Sequence, residues 1–228
     1  MQRDLKEVWA QIKKIETLYE DDAVIAVLKP TGVLMHQTMG LSEPTLAGWV
    51  KKNTGQIESY PIYRLDRATS GVVLFAKNKE QALWLNQNQP RKNYILATRG
   101  IVPVRGLIDY PVLNRRGDGK VTARTYFRRL ALFTLDNRRC SWVMARPVTG
   151  RMHQIRKHFK HLSFPLLGDV KYGKGNMNRM FRKLTELDRL MLHAYSVVFR
   201  HPVSQRAIKI KADFLLEEKE SLLRFCED

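Results

Sequence analysis

In the run Arg64-Leu65-Asp66-Arg67-Ala68 a single carboxylate lies between two guanidiniums, and Thr69-Ser70-Gly71 leads from it into the apolar stretch Val72-Val73-Leu74-Phe75-Ala76. Opposite charge on both sides favours the ionised form of Asp66, which could then act as an anionic nucleophile. The same residues also fit an ordinary turn before a strand with solvated arginines, so the pattern alone leaves both readings open. A second dense group is Arg146-Pro147-Val148-Thr149-Gly150-Arg151-Met152-His153-Gln154-Ile155-Arg156-Lys157-His158. Helical spacing there would project Arg151, Gln154, Lys157 and His158 from a helix whose other side packs on the core. An arginine at a helix start opposes the helix dipole and suits an incoming anion, either a phosphate or a carboxylate such as Asp66. His153, His158 and His161 have no acidic or cysteine companion and are surrounded by lysines, so no metal site is expected. Tyr60, Tyr63 and Tyr94 could stack on a nucleic-acid base. The glycines of Gly168-Asp169-Val170-Lys171-Tyr172-Gly173-Lys174-Gly175 lack the spacing of a nucleotide-triphosphate loop.

The elements that must position these residues can be read from periodicity. Leu5, Val8, Trp9, Ile12 and Ile15 recur at helical spacing, predicting an amphipathic helix over 1–14 rather than a secretory segment. The apolar run 23–28, closed by Lys29-Pro30, reads as a strand, as does 72–76. Helices are expected over 44–55 and 80–88, and a strand over 94–98. Asp118-Gly119 signals a hairpin, followed by strands at 120–130, 132–135 and 140–148. Met152, Ile155, Phe159 and Leu162 form one helical apolar face, and a basic helix is expected over 178–187. Strands at 190–200 and 207–212 and a terminal helix from Leu215 complete the chain. Strands come in adjacent groups rather than in strict alternation with helices, which favours an α+β architecture with a mixed, mostly antiparallel sheet. Residues 1–14 read as an extension and 15–228 as one catalytic domain, with no linker long enough to divide it.

Charge narrows the partner. Lys and Arg total 40 against 22 Asp and Glu, a formal charge of +18, and the pI is near 10.1. Such an excess points to a polyanion, with nucleic acid ahead of an anionic membrane surface because phosphates reward it through counterion release. No apolar run of spanning length or lipidation signal supports a membrane. Cys140 and Cys226 read as free thiols in a reducing compartment, and a cytoplasmic location follows as the default.

The same residues carry a resemblance. Tyr63-Arg64-Leu65-Asp66-Arg67-Ala68-Thr69-Ser70-Gly71 is similar to the H-R-L-D-x-x-T-S-G signature of the RluA-type pseudouridine synthases. Three further elements follow the family's pattern and order. Lys29-Pro30-Thr31-Gly32-Val33-Leu34-Met35-His36 resembles its first strand-and-loop motif, Lys92-Asn93-Tyr94-Ile95-Leu96-Ala97 its K-x-Y-x-A element, and Thr149-Gly150-Arg151-Met152-His153-Gln154-Ile155-Arg156 its T-G-R-x-H-Q-I-R element. Gly168-Asp169-Val170-Lys171-Tyr172-Gly173 with Asn178-Arg179 looks more like the branch that modifies uridine 65 of tRNA.

The resemblance implies isomerisation of a uridine in RNA without metal or organic cofactor, by a monomer whose mixed sheet spans two merged lobes with a central cleft. It assigns Asp66 as nucleophile, Arg151 as its charge partner, and Tyr94 as the aromatic group on the target base. Arg64, Arg67, Thr69, His153, Gln154, Arg156, Lys171, Lys174 and Arg179 would contact the RNA. A ribosomal RNA substrate, or an inactive RNA-binding protein on the same scaffold, are the alternatives. Tyr63 departs from the family's usual histidine, and an N-terminal S4-like RNA-binding module is not expected. A hydrolase or phosphotransferase would want a second carboxylate near Asp66, and the sequence offers none nearby.

Overall fold

The computed structural model describes residues 5–37, 43–55 and 58–214. In chain order the elements are α1 (Leu5–Ile12), β1 (Glu16–Glu20), β2 (Val24–Lys29), α2 (Leu46–Thr54), β3 (Tyr60–Pro61), β4 (Ser70–Ala76), α3 (Lys79–Gln87) and β5 (Arg91–Arg99). They continue with β6 (Arg105–Asp109), β7 (Val112–Leu113), β8 (Lys120–Val121), β9 (Arg124–Leu135), β10 (Arg138–Pro147), α4 (Gln154–His161), α5 (Gly175–Thr185), β11 (Leu192–Arg200) and β12 (Ala207–Lys211). This is a mixed, mostly antiparallel sheet with few helices, the expected α+β class. The chain divides into two compact units, Met1–Lys92 with Ala194–Asp213 and Asn93–His193 with Phe214–Asp228.

In the first unit the strand order is β1-β2-β4-β11, with β3 on β4 and β12 on β11. Every residue of β2 and β4 is buried, which explains why both read as unbroken apolar runs rather than alternating ones. They pair antiparallel from Val24 opposite Ala76 to Lys29 opposite Gly71. Helix α1 buries Val8 and Ile12 but leaves Trp9 exposed. Helix α2 starts where the Thr45 hydroxyl accepts from the Gly48 N–H and stops at left-handed Gly55, while Asn78 caps α3 in the same way as Thr45 caps α2.

In the second unit the order is β5-β10-β9-β6. Its core gathers Ala97, Phe133, Leu135, Cys140, Leu167, Met177, Phe181 and Met191. Burial pushes the Cys140 thiol up to about 11, so it stays protonated and packs as a small apolar group. On α4, Ile155 and Phe159 are buried, and Phe159 meets Phe127 of β9 edge-on at 5.7 Å.

Several expectations are corrected. The strand foreseen over 120–130 is interrupted after Val121, and the piece foreseen at 132–135 is continuous with its remainder in β9. Edge strands β1 and β6 were not foreseen. Half or more of each is solvent-facing, so neither shows an apolar run. Met152 precedes α4 and is 39% exposed, so it is not part of that helix's apolar face. The terminal helix expected from Leu215, and Cys226, lie outside the described residues. Among the described residues no helix is long and apolar enough to cross a membrane.

Gly71 carries a packing constraint. Its φ is +117°, and a Cβ there would stand 2.4 Å from the Ala194 carbonyl oxygen of β11. Gly71→Ala combines a left-handed backbone penalty with a clash against main chain, together of the order of 3 kcal/mol. A thermal melt should show the midpoint lowered by roughly 6 to 12 °C, and an unchanged midpoint would mean that β4 and β11 do not pack this closely.

Candidate active site

Asp66 lies half-buried in the segment between β3 and β4. That segment is held from beneath by Lys29, whose side chain is fully buried at the end of β2. The Lys29 ammonium donates to the carbonyls of Pro30 (3.0 Å), Arg67 (3.1 Å) and Thr69 (2.7 Å). Taking an ammonium out of water is costly unless its donors are satisfied, and these carbonyls satisfy them. Around this clamp the Lys29-Pro30-Thr31-Gly32 motif is laced to the Asp66 segment. The Gly32 N–H donates to the Arg67 carbonyl at 2.8 Å, the Thr31 hydroxyl to the Ala68 carbonyl at 3.0 Å, and Arg67 Nε to the Gly32 carbonyl at 3.0 Å. The Thr69 N–H closes the turn on the Asp66 carbonyl at 3.0 Å. Lys29, Thr31 and Gly32 thus fix the backbone that follows the carboxylate, from Arg67 to Thr69.

The two arginines that flank Asp66 in sequence behave differently. Arg67 is committed to Glu43, with Nη2 and Oε2 2.7 Å apart, and Glu43 is nearly buried. Arg64 is exposed and acts on His36. Burial first, then the Arg64 charge, push the His36 pKa below its ordinary value, leaving the imidazole neutral at neutral pH. Thr69 was expected to contact RNA, but it is 2% exposed and its hydroxyl is enclosed. Its backbone, not its side chain, serves the site.

In the second unit Tyr94 lies on β5 opposite Ala145 and is 8% exposed. Arg151 stays exposed, its Nε donating to the Thr122 carbonyl at 3.2 Å. The turn that carries it is bracketed by Gln154, whose Oε1 accepts from the Thr149 hydroxyl (2.6 Å) and the Arg151 N–H (3.1 Å). The Gln154 Nε2 donates to the Arg124 carbonyl and the Thr125 hydroxyl, both at 2.9 Å. Gln154 is therefore inward, contrary to the expected RNA-facing position, because all its polar capacity is spent on this bracket. His158 is inward too. It bonds Thr125 Oγ1 through Nδ1 (2.9 Å) and the Tyr110 carbonyl through Nε2 (3.0 Å), and burial above all lowers its pKa.

Arg156 also differs from the expectation of an RNA contact. It is buried, and its Nε and Nη2 each reach an oxygen of Asp169 at 2.8 Å. Asp169 accepts in addition from the N–H groups of Lys171 (3.0 Å) and Tyr172 (2.9 Å). Tyr172 covers the Arg156 guanidinium at 5.0 Å, and its hydroxyl is 3.0 Å from His153 Nδ1. Lys171, Lys174 and Arg179 are exposed around this knot. The Arg156–Asp169 pair thus arranges a cationic surface without belonging to it. The buried Lys29 and Asp169 were not among the expected site residues. Their one signal in the sequence is their position inside the Lys29-Pro30-Thr31-Gly32 and Gly168-Asp169-Val170-Lys171-Tyr172-Gly173 motifs.

The fold and these groups define a class: an α+β protein with a carboxylate on a rigidly clamped loop and a cationic surface suited to nucleic acid. The chain belongs to the RNA pseudouridylate synthase family, whose model matches residues 23–161. It is 36% identical to tRNA pseudouridine synthase C of Haemophilus ducreyi, over 92% of this chain and 94% of that protein. It is 38% identical to the protein of the same name from Pasteurella multocida, over 87% and 90%. Among solved structures, human RNA pseudouridylate synthase domain containing 4 superposes with a TM-score of 0.74 at 23% identity, covering 98% of this chain and 97% of that one. Human RNA pseudouridylate synthase domain containing 1 gives 0.73 at 21%, over 97% and 90%. The two human structures bear on the fold.

Asp169 ties stability to pH. Burial alone would raise its pKa, but the Arg156 hydrogen bonds, the Tyr172 N–H, the Arg156 charge and the Lys171 N–H outweigh it and hold the carboxyl below its ordinary value. A depressed folded value stabilises the protein above the unfolded carboxyl's pKa of roughly 3.9, and that stabilisation is lost as pH falls through the folded value. Asp169→Asn should cost about 3 to 5 kcal/mol at pH 7 by leaving Arg156 without its buried counter-charge. Urea midpoints of the two proteins should stay equally separated down to about pH 5 and converge below roughly pH 3.9. A separation independent of pH would show that the pair is not ionic.

Proposed function

We propose that this protein converts a uridine of tRNA to pseudouridine, with Asp66 as the nucleophile and uridine 65 as the position. The observation that carries the reading is the carboxylate of Asp66, held half-buried on a loop clamped by Lys29, in a chain of the RNA pseudouridylate synthase family. The tRNA substrate is supported by relatives named tRNA pseudouridine synthase C that align over most of both chains. Residues 15–228 would make up the catalytic domain and 1–14 an extension of it.

The chemistry asks for these residue types. The bond from uracil N1 to ribose C1′ breaks, the base turns, and a new bond joins C5 to C1′ while C5 gives up its proton and N1 takes one up. An anionic carboxylate can attack the sugar or the base, or take a sugar proton, and each route needs a fixed position and a water-poor setting. Tyr94 is the group proposed to lie on the base and assist the proton transfer, and Arg151 the one proposed to support the Asp66 charge. Since the reacting atoms are inaccessible in a stacked helix, the nucleotide is flipped out. Exposed Arg64, Lys171, Lys174 and Arg179 would hold its flanks through phosphate contacts.

Unmodified tRNA and ribosomal RNA should be incubated with the protein and pseudouridine mapped at single-nucleotide resolution. Asp66→Asn, which keeps the shape of the side chain, should lower the rate by about 10³-fold or more while RNA affinity is held. Turnover that survives in this variant would remove Asp66 as nucleophile, and modification of ribosomal RNA alone would overturn the tRNA assignment.

A further inference from the structure

Lys92 stands near the start of β5, two residues before Tyr94, and strand alternation puts the two side chains on one face of that strand. Its ammonium lies 5.0 Å from the centroid of the Tyr63 ring. That ring is itself fixed, because the Tyr63 hydroxyl donates to the Val72 carbonyl of β4 at 3.1 Å. Tyr63 opens the segment that carries Asp66 three residues later. The stretch that presents the carboxylate therefore also supplies the platform for a cation.

What sets Lys92 apart, among the described residues, is the acceptor it lacks. Other shielded cations have partners: Lys29 has three carbonyls, Lys77 has Glu20 at 2.8 Å, and Arg156 has Asp169. Lys120, Lys160 and Lys171 also lie over tyrosine rings, at 5.7 Å, but they are exposed and water can solvate them. Lys92 is half-buried, and among the described residues its ammonium meets the face of Tyr63 and no hydrogen-bond acceptor. Burial pushes its pKa below the ordinary value. A ring face attracts a cation but offers no lone pair to its N–H groups, so an anion arriving with the ligand gains both the charge and the hydrogen bonds.

We propose that the Lys92 ammonium, seated on Tyr63, binds a phosphate of the RNA strand beside the uridine on which Asp66 acts. This rests on the function proposed above. The contact positions the strand relative to Asp66 and takes no part in bond making. Lysine suits the task because its three donors can swing on a flexible stem to one phosphate while the ring holds the charge in place.

The test uses Lys92→Met, which keeps the apolar stem, and Lys92→Arg, which keeps the charge, with binding to an unmodified tRNA transcript measured across salt concentrations. Lys92→Met should weaken binding about tenfold and reduce the slope of log affinity against log salt by about 0.7, the share of one phosphate on a single strand. Lys92→Arg should restore most of both, and saturating single-turnover rates should fall far less than affinity does. Wild-type affinity and slope in Lys92→Met would overturn the proposal. So would weakened binding with an unchanged slope, which is the mark of a merely structural residue. Thermal melts of both variants separate these outcomes from misfolding, and a melting loss that Lys92→Arg does not repair also counts against the contact. Absence of pseudouridine with the wild-type protein would instead defeat the functional reading, since the slope is measured on binding alone.

Discussion

One buried ammonium organises the site. Lys29 ends a strand whose other residues are apolar, and its charge is tolerable there only because the carbonyls of Pro30, Arg67 and Thr69 surround it. Two of those carbonyls belong to the segment around Asp66, so the need to satisfy the ammonium becomes a geometric demand on the carboxylate. Gly71 sits opposite Lys29 in the β2–β4 register and lets β4 run close against Ala194. The proposed nucleophile needs its attack position set before the substrate arrives, and the backbone hydrogen bonds of the Asp66 segment contribute to that setting.

The second unit uses the same economy with opposite charge. Asp169 is the enclosed ion, Arg156 and two backbone N–H groups satisfy it, and the chain around it is thereby shaped to present Lys171 and its neighbours outward. Gln154 does for the Arg151 turn what Lys29 does for the Asp66 segment, with amide groups in place of charge. Buried polar groups fix geometry at both places, and the exposed cations are the ones proposed to attract a polyanion. The two roles fall on different residues even where they are neighbours in sequence.

This division explains what the sequence could tell. Strands β2 and β4 were legible because burial on both faces leaves an unbroken apolar run, and α2 and α3 because their apolar spacing is helical. Edge strands β1 and β6 were not, since a solvated edge has no apolar signature. The Asp66 motif was legible as a candidate site, and its family resemblance agrees with the family that the comparisons establish. Gln154 and His158 were misplaced as outward because spacing says which residues share a face, not what encloses them, and the RNA contacts expected of Thr69 and Arg156 from the resemblance gave no sign that Thr69 is enclosed or that buried Asp169 holds Arg156. Lys29 went unnoticed for the same reason, as a lysine is ordinarily a surface residue and only its three carbonyl partners make it otherwise.

Hydrogen exchange at the Gly32 and Thr69 amides, compared between the wild-type protein and Lys29→Met, tests the clamp most directly. Both amides bond within the laced segment, to the carbonyls of Arg67 and Asp66. If the buried ammonium holds that segment, their protection should fall by about 100-fold or more, equivalent to the loss of roughly 3 kcal/mol of local stability, and pseudouridine formation should fall with it while the amides of β10 keep theirs. Unchanged protection at Gly32 and Thr69, with wild-type turnover, would contradict the clamp and leave the placement of Asp66 to be explained by other contacts.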